Sequence, residues 1–438
     1  MDYVREAGWD ERMVNKSYRW VEKKVAFEPQ IGEWQSALMN GLLEVGVEPF
    51  NGFTYDHLIG TKIGGTIFNA DGRRHTAANL LEYANPHRIT VLLRATVRKI
   101  LFETRAKPRP VARGVIFRDR NGVERRAYLK EGSKNEIVVA SGALGSPQIL
   151  MLSGVGPAQH LLDNNISVVL DQPMVGQFMS DNPMNAIFVP SPVPVDVSLI
   201  QIVGITNFGS YIEAAGGANF GRRTTSTRDY GLFSPKIGQL GIIPPKMRTP
   251  EAIARAIELM ERLDEAAFRG GFILEKVMGP LSRGHLEVRT RNPDDNPSVT
   301  FNYFKNPVDL RRCVEGLEMI ERVIQSKAFS RFTTMSVQML LNLTARSPIN
   351  MHPRHPRRVN VGTSMEQYCR DTVMTIWHYH GGCLVGSVVD NNYRVLGVDA
   401  LRVIDGSTFN MSPGTNPQAS VMMLGRYMGL KILSERVT

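Results

Sequence analysis

Cysteine is scarce: three in 438 residues, at Cys313, Cys369 and Cys383. Three cannot make a disulfide framework, and no C-x-x-C pair occurs. Long apolar runs are missing too. The longest, such as Ile137 to Ala140, fall far short of the ~20 residues that cross a bilayer, so no transmembrane segment is expected. The opening stretch, MDYVREAGWDERMVNKSYRW, lacks the apolar core of a secretory leader. A phosphate-cradling G-x-G-x-x-G is absent as well: GTKIGG (60–65) and GALGSP (142–147) have other spacings. No internal repeat is present.

What remains is a globular composition, 42% hydrophobic and 21% charged. The length allows two or three domains. The net charge of +10 raises the question of nucleic-acid binding, but the charges are scattered. Their one dense cluster, HPRHPRR (352–358), reads as a proline-broken solvated loop, and no nucleic-acid recognition motif accompanies it. Glycosylation sequons at Asn15, Asn165, Asn342 and Asn410 are near their chance number.

Residues 33–45 carry Trp34, Ala37, Leu38, Gly41 and Leu42 at helical spacing and stop at Gly46. ITVLLRATVRKILF (89–102) and VARGVIF (111–117) read as strands, with a hairpin turn at Asn121-Gly122. IVVASGALGSPQILMLSGVG (137–156) reads as a buried strand, a glycine turn and a helix, with Ser146 as cap and Pro147 as first helical residue. Such a junction brings a phosphate or dinucleotide to a helix N-terminus. From about 186 the character changes. PSPVPVD (190–196) connects, GGANFGRRTTSTRD (216–229) reads as a loop and EAIARAIELMERLDEAAF (251–268) as an amphipathic helix. HLEVR (285–289), SVTFNYF (298–304) and ALRVID (400–405) read as strands. Asn306-Pro307 opens a helix that turns Leu310, Cys313, Leu317, Ile320 and Ile324 inward, so Cys313 is read as a packed thiol rather than a nucleophile. Asn416-Pro417-Gln418 opens the last helix in the same way, with Asn416 as its cap.

WHYHGGC (377–383) sets His378 and His380 two positions apart beside a glycine pair. On a strand that spacing would point both rings to one face, as a metal site needs, but no third ligand is near, so no metal is expected. Proton transfer by one histidine is the other reading.

GALGSPQILMLSGVG (142–156) resembles a signature of the glucose–methanol–choline (GMC) flavoprotein oxidoreductases. The final residues from Trp377 resemble that family's C-terminal block, including VVD (388–390), LRVIDGS (401–407) and SPGTNPQA (412–419). Together with FNGFTYDH (50–57), DNPMN (181–185), GPLSRGHLE (279–287) and NPDDNPSVTFNY (292–303), the match is nearest to the plant HOTHEAD-like and mandelonitrile-lyase-like group. The resemblance implies an α/β (α+β) fold: an incomplete FAD-binding domain lacking the N-terminal βαβ unit, plus a substrate domain with a mixed or antiparallel sheet and covering helices. The implied division is 1–185 and 356–438 for the FAD side and 186–355 for the substrate side. With the fingerprint missing, the resemblance implies an N-terminally truncated member.

The resemblance further implies FAD-dependent oxidation of a small-molecule alcohol, with long-chain ω-hydroxy fatty acids as candidate substrates. Cleavage of a cyanohydrin by a flavin-containing lyase and a non-catalytic fragment are the alternatives. The family's catalytic base falls on His378 and its partner on Asn416. Val97 falls where the adenine is met, and Ser141, Gly142 and Ala143 on the turn at the adenosine end. Asp405 and Gly406 fall beside the pyrophosphate and ribityl chain, and Pro417 and Gln418 at the helix N-terminus facing the flavin pyrimidine. Trp377 falls in the substrate pocket, and His380 beside the base as a supporting residue. Family members are expected to be secreted.

Overall fold

The computed structural model describes residues 4–5, 7–105, 107–216, 249–251, 270–333, 335–346 and 364–437. Beyond Gly216 the loop expected at 216–229, beyond Glu251 the helix expected at 251–268, and the whole basic cluster at 352–358 lie outside the described residues.

In chain order, α1 (Glu11–Val25) is capped by Asp10, which accepts the Met13 N–H at 2.7 Å. Helix α2 (Glu33–Glu44) and strands β1 (Phe50–Phe53) and β2 (Gly60–Ile63) follow. A meander of β3 (Thr96–Glu103), β4 (Val111–Arg118) and β5 (Glu124–Tyr128) leads to β6 (Ile137–Val139) and α3 (Gly142–Leu152). Next come β7 (Val155–Gly156), α4 (Ala158–Asp163), β8 (Leu170–Asp171) and β9 (Gln177–Met179). Long strands β10 (Pro183–Pro190), β11 (Ser198–Ile205), β12 (Ser210–Gly216) and β13 (Gly270–Val277) precede β14 (Gly284–Glu287) and β15 (Ser298–Thr300). Helices α5 (Pro307–Gln325), α6 (Val337–Arg346) and α7 (Met365–Thr372), strands β16 (Met374–Thr375) and β17 (Leu401–Val403), and helix α8 (Gln418–Val437) complete the order.

Seven strands form one sheet in the order β1-β2-β11-β12-β13-β10-β16. Every described residue of β12 and β13 is buried, as a strand covered on both faces requires. Alternation gives the two faces different tasks. Ile212, Ala214, Ile273 and Val277 pack with Trp34, Leu38 and Leu42 of α2 and with Leu317, Ile320 and Val323 of α5 in the largest core. Burial of each such leucine contributes ~1.5–3 kcal/mol. The opposite face carries Tyr211, Glu213 and Lys276, and it is there that the candidate site forms.

A second core surrounds α3. Its Ile149, Leu150 and Met151 pack with Val139, Leu401 and Val403 of the parallel pair β6–β17. A third joins Val14 of α1 to Leu424, Tyr427 and Met428 of α8.

Three expectations are corrected. The strand expected from residue 89 begins at Thr96, where pairing with Arg118 of β4 begins; Val91, Leu92 and Leu93 are exposed. Helix α3 begins at Gly142 rather than at Pro147, which lies inside it. The cause is Asp405: its Oδ2 accepts the Gly142 N–H at 3.0 Å and the Ser146 hydroxyl at 2.5 Å, so Ser146 binds a carboxylate instead of capping a helix. Finally, Cys313 is not a thiol. It forms a disulfide with Cys369, joining α5 to α7 across 56 residues of sequence, and Cys383 is the free, buried cysteine. Two inward-facing cysteines far apart in sequence leave no spacing signal of their pairing.

Candidate active site

The chain approaches His378 along β16, where Thr375 pairs with Pro183 of β10. Trp377 then takes φ 63°, so the strand ends and His378 and His380 do not share a strand face as expected. His380 instead bridges Ser180, with Ser180 N–H donating to its carbonyl at 2.8 Å and its own N–H donating back at 2.9 Å. Gly381 and Gly382 follow at φ 89° and 96°, conformations open to glycine. The Gly381 N–H donates to Gly406 O at 3.3 Å and the Cys383 N–H to Ser407 O at 2.9 Å. The histidine-bearing turn is thereby tied to the end of β17.

Asp181 holds the other side of this segment. It accepts the His378 N–H at 2.9 Å and the hydroxyls of Thr375 and Tyr303 at 2.6 Å each. Burial pushes its carboxyl up to about 6, against these hydrogen bonds. The His378 ring sits with Nδ1 3.3 Å from Tyr211 Oη and 3.4 Å from Asn182 Nδ2. Burial first, then the charge of Lys276 and the neighbouring His380, push His378 down to about 3. At neutral pH the ring is uncharged and keeps a lone pair. His380 is buried, its Nδ1 lies 3.1 Å from His378 O, and burial pushes it down to about 4. It supports the backbone of its neighbour. Among the described residues no group of three or more His, Cys, Asp or Glu is arranged to hold a metal.

Asn416 does not cap α8, whose first residue is Gln418. Its Nδ2 donates to Glu213 Oε1 at 3.0 Å, so a carboxylate across the site claims the side chain. Glu213 is ion-paired with Lys276, and both side chains are fully buried. Asn182 Nδ2 lies 3.3 Å from the carbonyls of both Gly414 and Thr415, just ahead of Asn416. His378 and Asn416 therefore meet the same strand, at Tyr211 and Glu213 of β12.

The residues expected to hold a flavin nucleotide cluster in part. Ser141, Gly142 and Ala143 follow β6, and Asp405 and Gly406 follow β17, at the carboxyl ends of two paired parallel strands. Open α/β sheets hold ligands at that edge. A Cβ at Gly142 would meet nothing within 4 Å, and one at Gly406 only Tyr379 O at 3.5 Å. The backbone there can be closely approached. Pro417 immediately precedes α8 and exposed Gln418 begins it, and the N-terminal end of that helix favours negative charge. This set fits a flavin nucleotide. Val97 lies on β3 and Trp377 beside His378, 41% and 45% exposed, so neither is committed to a core. A polar cavity of about 550 Å³ opens elsewhere, beside Arg402, Glu136 and Glu435, which are already paired with one another.

Sequence reasoning passed over Asp181, Asn182, Tyr211, Glu213 and Lys276 as site residues. A signal was present: SYIEAAG and GGFILEKV each carry charge within an otherwise apolar strand, and buried charges are rare without a task.

Comparison with known proteins shows the family. Two family models, both described as GMC oxidoreductase, match residues 4–184 and 280–425. The chain is 54% identical over 439 residues to Protein HOTHEAD of Arabidopsis thaliana, covering 99% of this chain and 73% of that protein. It is 42% identical to an (R)-mandelonitrile lyase-like protein of the same plant, covering 98% of this chain and 72% of that one. It is 38% identical to Sinalpyl alcohol oxidase Nec3 of Nesocodon mauritianus, covering 98% and 71%. Its fold matches the crystal structure of pyridoxine 4-oxidase from Mesorbium loti with a TM-score of 0.69 at 18% identity, over 93% of this chain and 71% of that one. The chain belongs to the GMC oxidoreductases, a family of flavoprotein oxidoreductase enzymes.

Proposed function

We propose that this chain takes part in FAD-dependent oxidation of an alcohol, with His378 as general base and Asn416 as its partner. The observation that carries this reading is convergence. An uncharged histidine and an amide are held against neighbouring positions of one buried strand, beside the open backbone at Gly142 and Gly406. Ser141, Gly142, Ala143, Asp405, Gly406, Pro417 and Gln418 would hold the nucleotide, with Val97 toward the adenine and Trp377 toward the substrate. Bound FAD supplies the acceptor for the substrate's hydride.

The chain's own residues handle the proton. Nδ1 of His378 faces Tyr211, which leaves Nε2 for the substrate hydroxyl. In the productive tautomer Nδ1 carries the ring proton and donates to Tyr211 Oη, while Nε2 accepts the hydroxyl proton. Asn416 spends one N–H on Glu213. Its second N–H can donate to the substrate oxygen as negative charge develops there. An amide cannot itself take the proton at neutral pH, so the base is His378 alone.

Residues 1–185 and 356–438 serve the cofactor in this reading and 186–355 the substrate, with long-chain ω-hydroxy fatty acids as candidates. The Cys313–Cys369 disulfide supports maturation in an oxidising compartment and an extracellular destination.

The purified chain is expected to carry flavin absorbance that an alcohol bleaches under anaerobic conditions. His378→Ala should retain the flavin and lose at least ~100-fold in the rate of bleaching. Cyanide release from a cyanohydrin without bleaching would replace this reading with a lyase. Absence of bound flavin would leave a non-catalytic fragment.

A further inference from the structure

The ion pair of Glu213 and Lys276 lies wholly inside the protein, with both side chains 0% exposed. An arrangement of this kind is a poor source of stability. Removing two charges from water carries a large desolvation penalty, and apolar residues of similar volume commonly do as well or better. Around it on the same strands Ile212, Ala214, Ala215, Leu274 and Val277 are apolar, while Glu275 points to the opposite face, where Ser210 donates to it. The pair needs another reason to be there, and its contacts supply one.

Lys276 stands directly opposite Tyr211 in the β12–β13 register, and Glu213 is two residues along β12. All three side chains therefore share one face of the sheet. The Lys276 ammonium lies 5.2 Å from the centre of the Tyr211 ring, within cation–π range. Tyr211 Oη meets His378 Nδ1, and Glu213 Oε1 meets Asn416 Nδ2. One buried connector thus touches both members of the candidate catalytic pair. A carboxylate only accepts hydrogen bonds, so the Asn416 atom turned toward Glu213 must be the nitrogen. The amide's orientation follows from the charge of residue 213.

We propose that Glu213 and Lys276 are positioning residues: Lys276 anchors the Glu213 carboxylate and the Tyr211 ring, and through them fixes the Asn416 amide and the His378 imidazole. The proposal deepens the alcohol-oxidation reading and rests on it for its kinetic consequence. Its structural content, one fixed orientation of the Asn416 amide, stands apart from any substrate.

The test replaces the connector by apolar residues of similar size, E213L/K276M, in the full chain. Two measurements follow. Selectively labelled asparagine in the flavin-free protein reports the Asn416 side-chain amide by NMR, with N416A assigning its signals. The wild type should show one slowly exchanging, downfield-shifted amide proton from the bond to a carboxylate, and the double variant should lose it while the remaining asparagine signals stay. In the flavin-loaded protein, kcat for alcohol oxidation should fall at least tenfold with KM changed by less than threefold. Adding N416A to E213L/K276M should then lower kcat little further, because the amide is already unanchored. A folded double variant with wild-type kcat, or with the Asn416 signals unmoved, overturns the proposal. If the wild type oxidises no alcohol, the functional reading fails and the NMR result alone decides the positioning claim. E213Q, which keeps the volume, is the second variant should the double replacement not fold. It must also disturb the Asn416 amide and lower kcat without raising KM, and an undisturbed amide refutes the proposal.

Discussion

His380 sits where protonation is costly. It is 1% exposed, its Nδ1 faces the His378 carbonyl, and its Nε2 has no partner among the described residues. Burial holds its pKa near 4 against the ordinary 6.5, and Arg283 adds to the effect. The direction of the stability change follows from proton counting. Between pH 6.5 and about 4 the unfolded chain binds a proton at this residue that the folded chain refuses. The contribution is fully present above pH 6.5 and is lost as pH falls through that window, at up to ~1.4 kcal/mol per pH unit. His380→Gln should remove that slope. Urea unfolding of wild type and variant at several pH values from 7.5 down to about 5 checks it: the two stabilities should converge as pH falls. Parallel lines would mean that His380 is protonated equally in both states. Among the candidate-site residues, His378 and Asn416 were named from short motifs, and the structure brings both against β12. Asp181, Glu213 and Lys276 were not named, because their roles depend on strand pairing that no local pattern announces.

Elements show the same division between local and distant causes. Helices α2 and α5 were legible because their buried stripes and the Asn306-Pro307 start are local features. The start of α3 was not, because the group that moves it, Asp405, lies more than 250 residues away in sequence and binds the serine that would otherwise read as a cap. The glycine turn after His380 is a further case. Gly381 and Gly382 look like flexibility in the sequence, yet each fills a space with no room for a side chain. A Cβ at Gly381 would lie 2.3 Å from Phe178 O, and one at Gly382 would lie 2.8 Å from Met179 Sδ and 3.1 Å from Pro147 Cγ. The obstacle at Gly381 is backbone and cannot swing aside. Gly381→Ala should therefore cost more than ~3 kcal/mol, combining the positive φ with the clash. Gly386→Ala is the matched control, since it also has a positive φ but nothing within 4 Å of its Cβ; it should cost ~1–2 kcal/mol. Thermal unfolding of the two variants side by side checks the order, and equal losses would remove the packing argument.

At the scale of the whole molecule, family membership and fold class were legible from motifs spread along the chain, whereas the clamp between its helices was not. Cys313 of α5 and Cys369 of α7 are joined. Beside them Asn185 of β10 donates to Cys369 O at 3.0 Å and to Thr372 Oγ1 at 2.8 Å, and Tyr368 donates to Ala186 O. Helix α7 leads directly into β16 and so to His378. Cutting the bond frees a loop of 56 residues in the unfolded chain, which by loop entropy lowers stability by ~4 kcal/mol. For a chain of this size unfolding as one unit, that corresponds to a fall in Tm of ~4 °C. Thiol titration in denaturant gives the first check: one reactive thiol without reductant, from Cys383, and three after reduction. Calorimetry gives the second: Cys313→Ser should lower Tm by the same amount in the absence of reductant, and reductant should then have no further effect on that variant. Three thiols in the unreduced protein, or a Cys313→Ser variant that still responds to reductant, would show that α5 and α7 are held by packing alone.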